Sequence, residues 1–186
     1  MTKPLVVVES PTKIKTLQKV LGSGYKVAAT VGHIKDLPQK EMGVDIEKGF
    51  KPKYSTISGK QKVIKNLKAT AGEAQDVYLA PDPDREGEAI AWHTAEVLKK
   101  KGRRFHRVLF HELTSPAIKE AIAHPTELDL NKYEAQQARR ILDRLVGYQI
   151  SPLLWRKVKG GLSAGRVQSV AVKIICDRER AIQAFE

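Results

Sequence analysis

The sequence has only one cysteine, Cys176, among its 186 residues. A single thiol cannot close a disulfide within the chain, so the fold must be held without covalent cross-links. Chains of this kind are typical of reducing compartments. Cys176 falls in an apolar helical pattern, which predicts that its side chain is buried in packing.

Long hydrophobic runs are absent as well. A helix that spans a bilayer needs about 20 consecutive apolar residues, and no segment of this sequence approaches that length. The apolar run at Leu5–Val8 is too short for the core of a signal peptide. A Gly-x-x-x-x-Gly-Lys-Ser/Thr loop for nucleotide phosphates is also missing. We therefore expect a cytoplasmic protein that does not use ATP.

Positively charged residues outnumber negatively charged ones. Lys and Arg number 33 against 21 Asp and Glu, which gives a formal net charge of +12 and a sequence pI near 9.8. Such an excess favours an anionic polymer as the partner. A basic protein without a polymer partner is the alternative that charge alone leaves open.

The order of predicted elements indicates the fold class. Strand-like runs alternate with amphipathic helices through residue 128, which predicts an α/β domain at residues 1–128 with a parallel sheet and helices on both faces. A segment at about 36–58, rich in Gly, Pro and charge, predicts an excursion outside the sheet.

Residues 129–186 have a purely helical pattern. Ser151-Pro152 predicts a helix break, and Gly160-Gly161 predicts a loop before a final amphipathic helix that ends near Ala184. The apolar face of that last helix needs a partner surface. We therefore expect the chain to be the N-terminal part of a longer protein.

Four carboxylates crowd the turn between a short strand at Val77–Ala80 and the next helix; they are Asp82, Asp84, Glu86 and Glu88. Charges this close repel one another unless a cation or a basic partner neutralises them. Oxygen-only ligands suit Mg²⁺, and open α/β sheets collect ligands at the carboxyl ends of their strands. Glu86 and Glu88 could instead merely complement the helix N-terminus.

Glu9 follows the apolar strand Leu5–Val8. If the two strands are neighbours in the sheet, Glu9 lies beside Asp82 and Asp84, where it could act as a general acid or base toward a phosphate oxygen. Lys13 is one helical turn further on and could stabilise charge on a phosphate. A strand-ending surface carboxylate and a solvated lysine are the alternatives.

The segment Asp82-x-Asp84-x-Glu86-Gly87-Glu88, together with Val6-Val-Val-Glu-Ser-Pro-Thr-Lys13, resembles the Toprim domain of bacterial type IA DNA topoisomerases. The resemblance implies a Toprim-type parallel sheet. It also implies that Glu9 exchanges a proton with the 3′ oxygen at the strand break. Asp82 and Asp84 would hold Mg²⁺, with Glu9 at the same site and Glu86 as a weaker or indirect ligand.

The strand after the acidic turn also fits this resemblance. Phe110-His-Glu-Leu-Thr114 matches the family pattern Phe-x-Glu-x-Thr, and the resemblance implies an active-site arginine near the phosphate. Arg107 is the candidate. His33, after the second strand, matches a family histidine near the DNA.

The helix that contains Arg139–Tyr148 carries a second group of candidates. Arg140 and Arg144 are four residues apart and share a helix face, where a phosphate or a base edge would relieve their repulsion. Tyr148 could stack on a base. A solvated charged face is the alternative. The pattern Gln-x-x-Arg-Arg-x-x-Asp-Arg-x-x-Gly-Tyr resembles the family segment that contacts single-stranded DNA.

A third segment, Gly160-Gly-Leu-Ser-Ala-Gly-Arg-Val-Gln-Ser169, offers donors at a helix start, where phosphates bind. Alone it is a weak motif, but it resembles a family DNA-contacting signature. The predicted DNA-binding residues are His33, Arg139, Arg140, Ile141, Asp143, Arg144, Tyr148, Gln149, Trp155, Arg156, Ser163, Ala164, Gly165, Arg166, Val167 and Gln168.

The family cuts DNA with a tyrosine nucleophile, and no tyrosine here lies in that context. The tyrosines are Tyr25, Tyr54, Tyr78, Tyr133 and Tyr148. The resemblance therefore predicts part of an ATP-independent, nucleoid-associated enzyme that relaxes negative supercoils. The expected partners of this chain are a single-stranded segment of DNA and the C-terminal domains of the same enzyme. This chain alone would be inactive. There are two alternatives. One is a nucleic-acid-binding module in which the acidic turn is only structural, and the other is a different Toprim enzyme such as a primase or nuclease.

Overall fold

The structure, a computed structural model, describes residues 2–185. It divides into two compact units. The first comprises the residues up to Pro38 together with Lys53–Gln137, and the second comprises Gln39–Pro52 together with the residues from Ala138 onward.

The elements are numbered in chain order. The strands are β1 (Leu5–Val8), β2 (Lys26–Ala29), β3 (Lys35–Asp36), β4 (Val44–Asp45), β5 (Lys51–Pro52), β6 (Ser55–Thr56), β7 (Asp76–Leu79) and β8 (Arg104–Arg107). The helices are α1 (Thr12–Leu21), α2 (Gln61–Ala71), α3 (Arg85–Leu98), α4 (Ser115–Ala123), α5 (Leu130–Lys157) and α6 (Arg166–Gln183).

A four-stranded parallel sheet forms the centre of the first unit, with the strand order β2-β1-β7-β8. All four side chains of β1 are fully buried, as expected for a Val-rich strand covered on both faces. Leu5 pairs with Lys26 on one side and with Val77 on the other. The carboxyl ends of β1 and β7 are therefore neighbours.

Helices cover both faces of this sheet. On one face Leu17 of α1 and Ile118 of α4 pack against Val6 and Val8. On the other face α2 and α3 pack against the alternate residues of β1 and β7, with Leu67 of α2 in the cluster. The predicted fold class, a parallel sheet flanked by helices and followed by a helical segment, is confirmed.

The excursion after β2 forms two short antiparallel pairs. In the first unit β3 pairs with β6, and in the second unit β4 pairs with β5. Neither pair joins the four-stranded sheet.

The predicted helix break at Ser151-Pro152 is wrong. The helix α5 continues through Pro152 to Lys157. Proline removes one backbone donor and strains the preceding turn, but only five residues of α5 follow it, so little helix depends on the lost bond. Ser151 is also pinned there, because its Oγ accepts a hydrogen bond from the Ala164 N–H at 3.0 Å.

The predicted burial of Cys176 is wrong as well, because its side chain is exposed. Helix α6 has no buried residue among residues 2–185, and apolar side chains such as Ile174 and Ile175 are 63% and 68% exposed. Apolar periodicity predicts a helix face but not what covers it. Within residues 2–185, no helix is both long enough and apolar enough to cross a membrane.

Candidate functional site

The acidic turn and Glu9 meet at one end of the sheet. Glu9 directly follows β1, and Asp82 follows the neighbouring parallel strand β7. The Nζ atom of Lys13, in the first turn of α1, contacts Glu9 Oε1 and lies 2.5 Å from Asp82 Oδ1. The structure thus brings Glu9, Lys13 and Asp82 together around one ammonium group.

The ammonium of Lys13 is strongly held. Partial burial by itself disfavours its charge, but the hydrogen bonds to Asp82 and Glu9 outweigh burial and raise the pKa of Lys13 above its ordinary value. Lys13 is therefore a permanent cation at neutral pH.

One carboxylate oxygen of Glu9 could still bind a cation. Its Oε2 atom is buried and has no hydrogen-bond partner among residues 2–185. A buried carboxylate oxygen without a partner is costly unless a cation or a donor approaches it. No group of three His, Cys, Asp or Glu side chains in this range is already arranged as a metal site. The oxygen donors of Glu9 and Asp82 nevertheless have the chemistry that fits Mg²⁺.

Asp84 is used by the fold. It is the N-cap of α3, and its Oδ1 atom accepts a hydrogen bond from the Gly87 N–H at 2.7 Å. A Cβ atom on Gly87 would lie 2.0 Å from the carbonyl oxygen of Asp82. The glycine therefore allows the turn to close tightly over the start of the helix.

Glu86 has a separate pair of partners. Its Oε2 atom lies 3.0 Å from His33 Nε2 and 3.1 Å from Gln136 Nε2. The structure thus brings His33 to the acidic turn through Glu86. Gln136 was not among the predicted site residues, because an amide in a charged helix gives no signal of a contact with a turn far away in the sequence.

Arg107 lies beneath the turn. Its side chain is 1% exposed. Nη1 donates to the carbonyl oxygens of Leu79 and Pro81, at 3.2 and 2.8 Å, and Nη2 donates to that of Asp82 at 2.7 Å. The guanidinium thus holds the backbone of the acidic turn. A direct contact of Arg107 with a phosphate stays a prediction.

Glu88 neutralises this arginine. Arg107 Nε donates to Glu88 Oε2 at 2.9 Å, and Glu88 is also 1% exposed. The other oxygen of Glu88 accepts the N–H of Asp129 at 2.8 Å. The sequence pattern placed Glu88 with the other carboxylates of the acidic turn and left a role at the helix N-terminus as the alternative. The available signal was an arginine directly before the apolar residues 108–110, because a buried charge requires a buried counter-charge.

The second unit contains the other candidate residues. Arg144 is largely buried; its Nη1 donates to the carbonyl oxygen of Glu41 at 2.9 Å and to the Tyr148 hydroxyl at 2.8 Å. Its guanidinium carbon lies 4.6 Å from the centre of the Tyr148 ring. Tyr148 in turn donates to the carbonyl oxygen of Gln39 at 2.5 Å. This pair therefore holds the segment at residues 39–41.

The Ser163–Gln168 segment is tied down by hydrogen bonds. Arg166 Nε donates to Asp143 Oδ1 at 2.6 Å, and this bond raises the pKa of Arg166 above its ordinary value. Gln168 Nε2 donates to the carbonyl oxygen and to Oγ of Ser163, at 2.7 and 2.9 Å. A Cβ atom on Gly165 would lie 3.0 Å from the Gln168 side chain. The loop before α6 is therefore preorganised.

Trp155 ties the end of α5 to the same loop. Its Nε1 atom donates to the carbonyl oxygen of Leu162 at 2.5 Å, yet the residue is 51% exposed. The remaining predicted DNA-binding residues lie at the surface to different degrees. Arg139, Gln149, Arg156 and Val167 are exposed, and Arg140, Ile141 and Ala164 are half-buried.

Comparison with known proteins agrees with this architecture. Residues 4–113 match the family described as the Toprim domain, and residues 127–186 match the family described as DNA topoisomerase. The structure of full-length topoisomerase I from Thermotoga maritima is 51% identical to this chain, covers 98% of it and superposes with a TM-score of 0.88. The chain spans 31% of the length of that protein.

The match to the Toprim domain covers more than half of the sequence. The fold and the acidic turn thus define a Toprim protein. The chain belongs to the family of bacterial type IA DNA topoisomerases.

Proposed function

We propose that this chain supplies the magnesium site and part of the single-stranded DNA groove of a type IA DNA topoisomerase. Such an enzyme cuts one strand, passes another through the break and religates it, and thereby relaxes negative supercoils without ATP. The rest of the enzyme, including its nucleophilic tyrosine, would lie in further domains of the same protein.

The shared contact of Glu9 and Asp82 with the Lys13 ammonium carries this proposal. Two carboxylates that already converge on one cation are suited to bind Mg²⁺, and the Lys13 ammonium is suited to hold a phosphate oxygen. Bound Mg²⁺ would neutralise charge on the phosphate at the break. Asp84 and Glu86 would contribute from the same turn, each after release from its present partner.

The protein side chains have separate tasks in this proposal. The unpartnered Oε2 atom of Glu9 can accept a proton from the 3′ hydroxyl at religation and return it at cleavage. Lys13 is a permanent cation that can hold a non-bridging phosphate oxygen. Arg107 acts as a positioning residue through the backbone of the acidic turn.

The second unit would bind the strand. Arg139 and Arg156 are exposed and available to phosphates, and Trp155 offers an aromatic surface for a base. Arg166 and Gln168 are held in fixed orientations at the start of α6, where backbone N–H groups also favour anions.

A magnesium titration tests the metal site. We expect the 186-residue chain to bind Mg²⁺ in isothermal titration calorimetry and the double variant Asp82→Asn, Asp84→Asn to lose at least tenfold in affinity. The variant Glu120→Gln, Glu127→Gln removes the same number of exposed charges elsewhere in the first unit and should bind like the wild type. Equal binding by all three proteins would mean that the acidic turn is structural and would favour the nucleic-acid-binding module instead.

A further inference from the structure

The outer edge of β2 is open to a further strand. Strand β2 is the last strand of the sheet on its side. The N–H groups of Lys26 and Thr30 point inward, to the carbonyl oxygens of Pro4 and Val8, both at 2.9 Å. Because main-chain groups alternate along a strand, those of Val27 and Ala29 point outward. No strand within residues 2–185 pairs with them on that side.

A groove of about 240 Å³ runs along this edge. Ala28 and Ala29 form part of its floor, Ile14 of α1 lies on one wall, and Val63 and Leu67 of α2 lie on the other. Because α1 and α2 cover opposite faces of the sheet, the groove has the shape of a slot for an extended chain. Its walls are largely apolar, although Asn66 and Thr70 of α2 also line it, and its floor offers main-chain hydrogen bonds.

A residue with an unusual backbone conformation follows β2 at one end of the groove. Val31, which also lines the groove, has a φ of 58° and is 49% exposed. A β-branched residue in the left-handed region is rare. Lys60 fixes it by donating from Nζ to the Val31 carbonyl oxygen. The next N–H along the chain, that of Gly32, donates inward to the carbonyl oxygen of Glu9 at 2.8 Å, so this segment does not pair with the outer edge of β2.

The three elements that border the groove carry charge of one sign. The three elements α1, β2 and α2 contain no Asp or Glu. They contain Lys13, Lys15, Lys19, Lys26, Lys62, Lys65 and Lys68. All of these lysines except Lys13 are exposed, so an occupant with negative charge is attracted.

We propose that the β2 edge binds an extended acidic peptide, which adds a fifth strand to the sheet. Main-chain hydrogen bonds to Val27 and Ala29 would provide affinity, alternate apolar side chains would enter the groove, and acidic side chains would meet the lysines. A nucleic-acid backbone fits less well, because phosphates are acceptors only and cannot serve the outward carbonyl groups of these two residues.

The test uses fluorescence anisotropy with the 186-residue chain and a labelled peptide of about ten residues in which Glu and Val alternate, long enough to cover β2. We expect saturable binding. A peptide N-methylated at every residue, which has no amide N–H on either edge to donate to β2, should bind at least tenfold more weakly. The variant Ala29→Pro should also lose at least tenfold, because its missing N–H faces outward and the ladder to β1 is untouched.

Three further variants separate the contributions. Asn66→Trp, at an exposed position that lines the groove, fills the slot and should abolish binding even if Ala29→Pro misfolds. Lys62→Glu with Lys65→Glu should weaken binding strongly, and Lys119→Glu on α4, an exposed lysine away from the groove, should change it less than twofold. Circular dichroism verifies the fold of each variant.

Two results would overturn the proposal. One is the absence of peptide binding up to about 1 mM, the weakest affinity that such an assay resolves. The other is displacement of the peptide by an oligothymidine strand together with unchanged peptide affinity in Ala29→Pro and Asn66→Trp, which would make this face a nucleic-acid surface.

Discussion

Gly87 is the residue at which the acidic turn tolerates the least change. A methyl group at this position would lie 2.0 Å from the carbonyl oxygen of Asp82, and that atom is also held by Arg107. We expect Gly87→Ala to lower the free energy of unfolding by about 1–3 kcal/mol, typical of overpacking, and to weaken Mg²⁺ binding.

Urea unfolding and the magnesium titration measure these two effects of Gly87→Ala. Gly24→Ala is the matched control, because a Cβ atom there meets nothing within 4 Å and its φ is not in the left-handed region. Equal stability and equal Mg²⁺ affinity of the two variants would contradict the close approach.

The ion pair between Arg107 and Glu88 supports a second prediction. Removal of one partner leaves the other charge buried, which typically costs about 3–5 kcal/mol. We expect Arg107→Met to lose a free energy of unfolding in this range in urea titrations. The double variant Arg107→Met, Glu88→Leu should recover much of the loss. If Arg107→Met alone were as stable as the wild type, the pair would not hold the turn.

The sequence predicts the positions of some residues of this site but not of others. The convergence of Glu9 and Asp82 followed from two parallel strands that end at the same edge of the sheet. The capping role of Asp84 and the burial of Glu88 were not predicted, because nothing next to these residues in the sequence distinguishes one carboxylate of the turn from another. The signal for Glu88, Arg107, lies 19 residues further along the chain. Only the backbone geometry decides which of them faces the open site.

At the scale of elements, α3 and α5 enclose a histidine that stays neutral. His93 is 2% exposed, and its Nδ1 atom has no hydrogen-bond partner within residues 2–185. The Tyr133 hydroxyl lies 3.4 Å from its Nε2 atom, and the ring of Tyr54 packs against it. Burial lowers the pKa of His93 from 6.5 to about 4.

This depressed pKa predicts a pH dependence of stability. Glu96 and Asp36 favour the charged form of His93, whereas Lys35 and His33 oppose it, and burial outweighs them all. Above pH 6.5 the imidazole is neutral in both states, so its contribution is fully present. As pH falls from 6.5 toward 4, only the unfolded chain gains the proton, and stability falls by up to roughly 3 kcal/mol.

The variant His93→Phe isolates this effect. Its free energy of unfolding should fall less between pH 7 and pH 4.5 than that of the wild type, whereas His124→Gln, at an exposed histidine, should follow the wild-type profile. Parallel curves for the wild type and His93→Phe would show that His93 is not the group that titrates.

The elements of the first unit followed from local pattern, and the course of α5 did not. The apolar run Leu5–Val8, the short strand before the acidic turn and the amphipathic helices between them were predicted from sequence pattern and correspond to β1, β7, α1 and α2. Pro152 is a strong local signal for a helix end, but the contact between Ser151 and Ala164 joins residues 13 apart. Such contacts override local preference and are not visible in a short window of sequence.

At the scale of the whole chain, positive charge is the property most relevant to its proposed partner. Not every basic group behind the net charge of +12 is available to a partner. Some, such as Arg107 and Arg166, are already paired with carboxylates. Exposed groups such as Arg139 and Arg156 are the ones expected to release counterions from DNA. Composition predicts the sign of the partner, but only the structure shows which charges are available.

The last prediction concerns single-stranded DNA. The affinity of the chain for an oligothymidine strand should fall linearly on a log–log plot against salt, with a slope of about −0.7 per phosphate contacted. For roughly four contacts this means a loss of about 50-fold between 50 and 200 mM salt. Arg139→Ala and Arg156→Ala should each reduce the slope by about one contact, and Lys119→Ala should leave it unchanged. In the same samples supercoiled plasmid should keep its linking number, with or without Mg²⁺, because the proposed function places the nucleophilic tyrosine in further domains of the enzyme. Relaxation of the plasmid by this chain alone, or a salt slope near zero, would contradict the proposed function.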